Sequence, residues 1–533
     1  MKSLKYIAAF LFLILLSGCM TGPDYVRPDF ATPDKWSQPM RGGEKADSPE
    51  AVHWWKEFSD PQLDELVARA LQANLDIQLA ESRIREARLH LVRTGAALWP
   101  QLNASGSYQR RQTVEVDTSR PPSARANAIF SQNGLTGLSV TGTSPAGPSL
   151  SITPDLRGGG NTTVGVSAGT ESLAKKPDRQ MDLYQAGFDA SWELDIFGGT
   201  RRATEAVRAE IEAAEESRRA VYISVAAEMA GNYFDLRAVQ QRLTIARNNV
   251  ENVENSLQLV TARFDAGLTS ELDVRRSESH LANTRAFIPV LEYMLEQIIH
   301  RMSVLCAEAP GALREELIAS EELPEAPPEV LVGIPSEILR RRPDIRREER
   351  LLAAATANIG VATADLFPKF SLTGSLMGSS SDFSGLNLSS NRTWSIGPAI
   401  RWPVFDAGRI RSNIAIQNVR QEQALLNYEK TILQSFGEVE NALVLYAQEQ
   451  NRFVELNKSV EAGEKALELA YDLYARDLVS FLEVLDAERT LFTAQDQRLQ
   501  SQASVLTSLV SLYKSLGGGW EAPLEMEEET PLS

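Results

Sequence analysis

From about residue 200 to 264 the chain has no proline and one glycine, Gly231. Apolar residues recur there every seven positions, at Met229, Leu236, Leu243, Val250, Leu257 and Phe264. A second row follows at Val239, Ala246, Val253 and Val260. Two rows at this spacing are the a and d positions of a coiled-coil seam. A 65-residue helix rises ~1.5 Å per residue and is about 98 Å long, deeper than any compact domain core. The fold therefore has to be built around helices that run far beyond a globule.

The plan is written twice. AALWPQLNASGSY at 96–108 aligns without a gap on ADLFPKFSLTGSL at 364–376, an offset of 268. WELDIFGGTRR from 192 aligns on WPVFDAGRIR from 402, and FDAGLTSELDV at 264–274 on YARDLVSFLEV at 474–484, both at an offset of 210. Copy one spans 60–306 and copy two 336–516. The drop from 268 to 210 gives copy one 58 extra residues, within about 110–182. That piece is rich in Gly, Ser, Thr and Pro and reads as a long exposed loop with a few weak strands. Residues 307–335 form a Pro-rich connector, and 517–533 a polar tail. Copy two repeats the first seam row at Val439, Tyr446, Phe453, Val460, Leu467 and Tyr474. Its second row is Glu449, Leu456, Gly463 and Ala470, where small residues let helices approach closely. Long helices are thus predicted at 200–264 and 410–474, with return helices at 271–306, kinked by Pro289, and 481–516. Helical stretches at 61–97 and 336–365 precede the aromatic-Pro junctions. Two short helices end to end match one long one in length, as in a cylinder wall of uniform height.

After each junction the period changes to two. Leu102, Ala104, Gly106 and Tyr108 alternate with Asn103, Ser105, Ser107 and Gln109. Tyr184, Ala186, Phe188, Ala190 and Trp192 alternate with polar or small residues, as do Phe370, Leu372, Gly374 and Leu376. A second strand closes the hairpin at 370–402. Each segment is near the ~9–11 residues that cross a bilayer as a tilted strand. One apolar and one polar face suit an outer-membrane barrel; alternation alone would favour a half-buried soluble sheet, and the N-terminal lipoprotein address shifts the balance to the barrel. In lipid, four strands cannot close a barrel and open edges are not tolerated, so a membrane reading requires oligomerisation. Two chains would supply eight strands and three would supply twelve.

The first residues carry an address. Lys2 and Lys5 precede the apolar run 7–16, too short to span a bilayer as a stable helix, so residues 1–18 read as a signal peptide. LSGC, ending at Cys19, resembles a bacterial lipobox, which implies acylation of Cys19 and a lipidated extended arm over 19–59. Residue 20 is Met rather than the Asp linked to inner-membrane retention. The other cysteine, Cys306, then has no partner for a disulfide and reads as a small buried side chain. The formal net charge is −17, or −19 without residues 1–18, which argues against nucleic acid.

LSGC followed by GPDY (22–25), LRRRPDI (339–345), the two junctions, WELDIFG (192–198), WPVFDAGR (402–409) and FLEVLDAER (481–489) together resemble the TolC-like outer membrane factors, in their lipoprotein (OprM/NodT) branch. The resemblance covers nearly the whole mature chain. It implies a mixed α and β membrane protein: a homotrimer with a twelve-stranded β-barrel in the outer membrane and a long α-helical barrel through the periplasm. It implies a passive export duct working with a periplasmic adaptor and an inner-membrane pump. The turns after 264 and 474 would be the periplasmic tips, with adaptor contact at Gly267, Leu268, Thr269 and Ser270 and at Asp477, Leu478, Val479 and Ser480. Asp486 matches the family's acidic position at the closed entrance, Glu483 shares its helix face, and Tyr474 matches an aromatic of the gate links. Acids repeated by symmetry would form a ring selective for cations. The copy-one equivalents of Glu483 and Asp486 are Asp273 and Arg276. Asp477 stands where copy one has Gly267, and Asp takes positive φ less readily.

No catalytic constellation or phosphate loop stands out, and the four histidines are scattered without metal spacing. No enzyme activity and no cofactor are therefore expected. The competing reading is a periplasmic coiled-coil lipoprotein with a tethering role, but a tether needs no amphipathic strands.

Overall fold

The structure is a computed structural model that describes residues 20–37, 44–45, 53–113, 124–131, 134–142, 149–154, 161–167, 179–327, 330–386 and 392–518. Cys19, the segment 1–18 and most of the tail lie outside the described residues. The chain divides into a helical unit (1–99, 195–369 and 401–533) and a β unit (100–194 and 370–400).

The helical unit contains α1 (Pro61–Ala73), α2 (Leu75–Gly95), α3 (Gly199–Asp265), α4 (Glu271–Leu305), α5 (Pro343–Ala364), α6 (Arg409–Ala475) and α7 (Phe481–Leu516). Both long helices have 67 residues. Each starts after a glycine at positive φ, Gly198 (77°) and Gly408 (86°). A nearby carboxylate satisfies the free N–H groups of the first turn. Asp195 accepts from the N–H of Thr200 and Arg201 at 3.1 and 2.9 Å, and Asp406 from Gly408 and Ile410 at 3.0 and 2.8 Å. So WELDIFG and WPVFDAG place Asp differently in sequence yet cap the same helix start. Within its own copy α3 packs against α1, α2 and α4, and α6 against α5 and α7. Contacts of α3 with α5 and α7 join the copies.

The first seam row is buried in α3 at Met229, Leu236 and Leu243 but opens toward the far end, where Phe264 is exposed. The second row, Val239, Ala246, Val253 and Val260, stays buried throughout. In α6 the first row is buried at Val439, Tyr446, Val460 and Tyr474, whereas Glu449, Leu456, Gly463 and Ala470 of the second are only half-buried. A heptad row drifts about 20° per repeat around a straight helix, so one row alone cannot keep facing the same neighbour. Gly463 serves the predicted close approach: a Cβ there would lie 3.3 Å from Leu491 Cδ1 of α7.

Two expectations change. The single helix at 61–97 is broken at Asn74 (ψ 131°), whose Oδ1 accepts from the N–H of Asp76 and Ile77 while its Nδ2 donates to the Leu305 carbonyl. One buried asparagine thus caps α2 and the end of α4 together. The stretch 336–365 is likewise broken, at Arg342, because Pro343 disfavours a helical residue before it and starts α5. Helix α4 is a single helix with Pro289 in its interior.

Trp54 is fully buried, stacked on Tyr513 at 5.3 Å and edge-on to Trp55 at 5.6 Å. Arg237 is also buried, and its two terminal nitrogens donate to Gln62, Gln240, Glu321 and the Ala319 carbonyl, tying the connector onto α1 and α3. Cys306 is buried at the end of α4, and burial pushes its thiol up. The arm is strapped down by Arg202, which donates to the Thr21 and Gly22 carbonyls and to Asp24 Oδ1.

In the β unit, β1 (Gln101–Thr113), β6 (Arg179–Leu194), β7 (Lys369–Ser380) and β8 (Arg392–Arg401) form one antiparallel sheet in the order β8-β7-β6-β1. The register pairs Ala104 with Phe188 and Phe188 with Leu376, so every even-numbered residue of these three strands shares one face. Leu102, Tyr108, Phe188, Leu372 and Leu376 on that face are exposed. The odd face carries polar rungs, Asn103–Asp189 at 3.1 Å and Ser107–Gln185 at 3.4 Å. The stretch expected to be a long loop with a few weak strands instead holds β2 (Ala124–Ser131), β3 (Gly134–Gly142), β4 (Ser149–Pro154) and β5 (Asn161–Ser167), a second four-stranded sheet in the order β3-β2-β5-β4. Its β-branched residues, as in SITP and TTVGV, find ladder partners that the surrounding glycines concealed. Among the described residues no helix is long and apolar enough to cross a membrane.

Candidate functional site

Two helical hairpins, α3–α4 and α6–α7, end in matching turns. Leu268 N–H donates to the Arg263 carbonyl (2.8 Å) and Gly267 N–H to Phe264 (2.8 Å); Leu478 donates to Leu473 (3.0 Å) and Asp477 to Tyr474 (3.1 Å). This crossed pair of bonds is the Schellman motif, which needs a left-handed residue at its centre. Gly267 has φ 74° and Asp477 φ 58°, so aspartate adopts the turn that glycine makes in copy one. Asp477 also forms an ion pair with Arg263 of α3, which links the second turn to the first hairpin. Asp477→Gly removes the backbone strain and loses an exposed ion pair, effects of about 1 kcal/mol or less that nearly cancel. Asp477→Ala loses the pair and keeps the strain. The alanine variant should therefore unfold at the lower urea concentration of the two, by about 1 kcal/mol.

Ser270 and Ser480 precede α4 and α7. Asp273, in the first turn of α4, accepts from Thr269 Oγ1 at 2.8 Å and Ser270 Oγ at 2.9 Å. Partial burial raises its carboxyl, but these hydroxyls, the Ser270 N–H and Arg276 outweigh it and hold the group below the usual carboxylate range. Arg276 lies 3.8 Å from Asp273, not against the acids of copy two. Tyr474 is buried against Phe481 at 5.2 Å, and the Arg263 guanidinium sits 4.7 Å over its ring. Burial, ahead of the neighbouring charges, pushes the Tyr474 phenol up. Val260, Val484 and Leu485 complete this small apolar cluster.

Glu483 and Asp486 are exposed on α7, one turn apart. Asp486 is met by Arg489 at 2.8 Å. Arg489 and Arg263 were missed by the sequence reading. The first is signalled by the i, i+3 spacing in LDAER; the second has its partner 214 residues away and carries no local signal. The turns expose matched leucines: Leu268 is 64% exposed and Leu478 66%, with Leu272 and Leu482 behind them. Leucine at this point of a Schellman turn usually folds back onto its own helix. Val479 packs inward at the edge of the apolar cluster.

Residues 152–304 and 334–518 match the family model described as outer membrane efflux protein. The chain is 30% identical over 526 residues to the pyoverdine export outer membrane protein OpmQ of Pseudomonas aeruginosa, covering 98% of each. It is 30% identical over 513 residues to the cation efflux system protein CusC of Escherichia coli, covering 96% of this chain and 98% of that one. The solved outer-membrane channel OprN superimposes with a TM-score of 0.76 at 33% identity, over 94% of this chain and 100% of that one.

Proposed function

Because the chain belongs to the outer membrane efflux protein family, it is an outer-membrane export duct rather than an enzyme, and we propose how its own residues serve that role. Three copies close their four-stranded sheets edge to edge into a twelve-stranded barrel, and their long helices into a tube through the periplasm. The observation that carries this reading is the sheet: over 102–108, 184–194 and 370–376 its even face is apolar and largely exposed and its odd face polar or small, and its outer strands β8 and β1 have no further ladder partner among the described residues. A soluble sheet would cover its apolar face. In lipid that face is in its proper solvent, and pairing β8 of one copy with β1 of the next leaves no edge. Acylation of Cys19 supplies a second hold on the membrane.

The hairpin tips form the periplasmic entrance. Asp486 and Glu483, repeated three times, ring it with acid, while Arg263, Tyr474 and Asp477 hold the hairpins together and Asp273 and Arg276 stiffen the first turn. The exposed leucines and the polar turn residues from Gly267 to Ser270 and from Asp477 to Ser480 receive a periplasmic adaptor, which couples the duct to an inner-membrane pump. Cargo is chosen by that pump: relatives of equal identity are named for pyoverdine export and for cation efflux.

Purified, acylated protein should run as a trimer and give discrete, cation-selective conductance steps in planar bilayers. A stable monomer without conductance would refute the duct.

A further inference from the structure

The repeat marks one joint in each copy. Asn74 and Arg342 are 268 positions apart, and the carbonyls to which they donate, Leu305 and Ser515, are 210 apart, the two offsets of the sequence repeat. Each side chain thus ties the end of a return helix to the start of a short one. Asn74 does so with its side-chain amide. Arg342 is 7% exposed and spreads further: Nη1 donates to Ser515 at 2.8 Å, and Nη2 to Asp344 and to Glu438 of α6, both at 2.6 Å. Beside this wider joint lies a cavity of about 550 Å³ between α3, α6 and α7, with Arg342 in its wall.

The cavity lies on the side of these helices away from the arm. On α6, Trp36 of the arm packs on Phe436 at 6.3 Å and the Ser37 N–H donates to Glu440. Glu438, which lines the cavity, stands two positions from each, a rotation of about 200° around the helix. On α7, Tyr513 stacks on Trp54, whereas Ser511 and Ser515, two positions to either side, line the cavity. The arm starts at Cys19, whose acyl chains belong in the lipid around the barrel. The arm therefore lies on the outer wall of the tube, and the cavity faces its inside.

Ile223, Ala442 and Leu445 give the cavity an apolar wall. Asp344 and Glu438 are neutralised on Arg342, while Lys514, exposed at the cavity, has no ion pair among the described residues. A volume of this size, an apolar wall and one unmatched cation fit an organic molecule with an apolar body and an anionic end. We propose that the cavity is a binding site partway along the duct for amphiphilic organic anions, whose body lies on the apolar wall and whose charge meets Lys514. This rests on the reading of the chain as a duct. The formal net charge of −17 repels anions in general, and Lys514 offsets that field locally. A single exposed cation binds weakly enough for the ligand to leave again, as conduction requires.

The test uses the full-length chain in lipid nanodiscs and two fluorescent probes with one apolar body, 1-anilinonaphthalene-8-sulfonate and the uncharged N-phenyl-1-naphthylamine. The sulfonate should bind at one site per chain. Lys514→Gln should weaken it about fivefold and leave the uncharged probe unchanged. Ser511→Trp, which fills the cavity from an exposed position, should weaken both probes at least about tenfold. Equal sulfonate affinity in Lys514→Gln and the wild type, or undiminished binding of both probes in Ser511→Trp, would overturn the site. Tighter sulfonate binding in a chain ended at Gly518 would also overturn it, because residues 519–533 would then be the occupant. In planar bilayers the sulfonate should interrupt the wild-type current and interrupt that of Lys514→Gln less. Uninterrupted current in a channel that binds the sulfonate would put the cavity outside the tube and end its role in transport. A wild-type chain that gives no conductance instead sinks the duct reading, with the probe titrations still judging the cavity.

Discussion

Replacing Asp486 and Glu483 together by alanine should weaken block of the channel by a trivalent cation by about tenfold or more. Both side chains are exposed on one face of α7, and in the proposed trimer threefold repetition would bring six carboxylates to the entrance. Unit charges ~4 Å apart interact by about 1 kcal/mol in water and several-fold more in a low-dielectric constriction, so losing six exceeds the 1.4 kcal/mol of a tenfold change. The effect should shrink at high salt, where exposed charges are screened. Arg489 sits 2.8 Å from Asp486 and opposes the acid field, so Arg489→Ala should tighten block. Blocker titrations at low ionic strength read both signs. Identical affinity in the double variant and the wild type would remove these acids from the conduction path.

Replacing Leu268 and Leu478 together by aspartate should abolish coupling to the adaptor while leaving conductance intact. Each leucine projects from a rigid Schellman turn with about two thirds of its surface exposed. Burying such a side chain in a partner is worth about 1.5–3 kcal/mol, and a carboxylate in its place has no partner. With two sites in each copy of the proposed trimer, adaptor affinity should fall at least about a hundredfold. Co-purification with the adaptor measures the loss, and bilayer recordings check that the duct still opens. Undiminished adaptor capture would move the docking surface elsewhere on the tips.

Much of the fold was legible because it depends on local periodicity. A seven-residue repeat without proline makes a long helix wherever it occurs, and a two-residue repeat after an aromatic-Pro pair makes a strand. The matched landmarks at an offset of 210 also located both turns. The interruptions were harder to see. Asn74 breaks a helix by capping α2 while bonding the Leu305 carbonyl, and that carbonyl is 231 residues away. The second sheet was hidden by composition, because glycine and serine signal loop and strand alike when the pairing partner is unknown.

The same distinction runs through the entrance. Sequence alone determined the two-copy plan, the exposed acid pair of α7 and the positions of the turns, since each rests on residues within a few turns of one another. Only the tertiary structure decided that Asp477 takes glycine's left-handed turn, that its partner is Arg263, and that the same guanidinium lies over the Tyr474 ring. These are contacts between helices far apart along the chain. Their chemistry depends on which faces meet when the hairpins pack, and helical periodicity names the faces without saying what lies across from them.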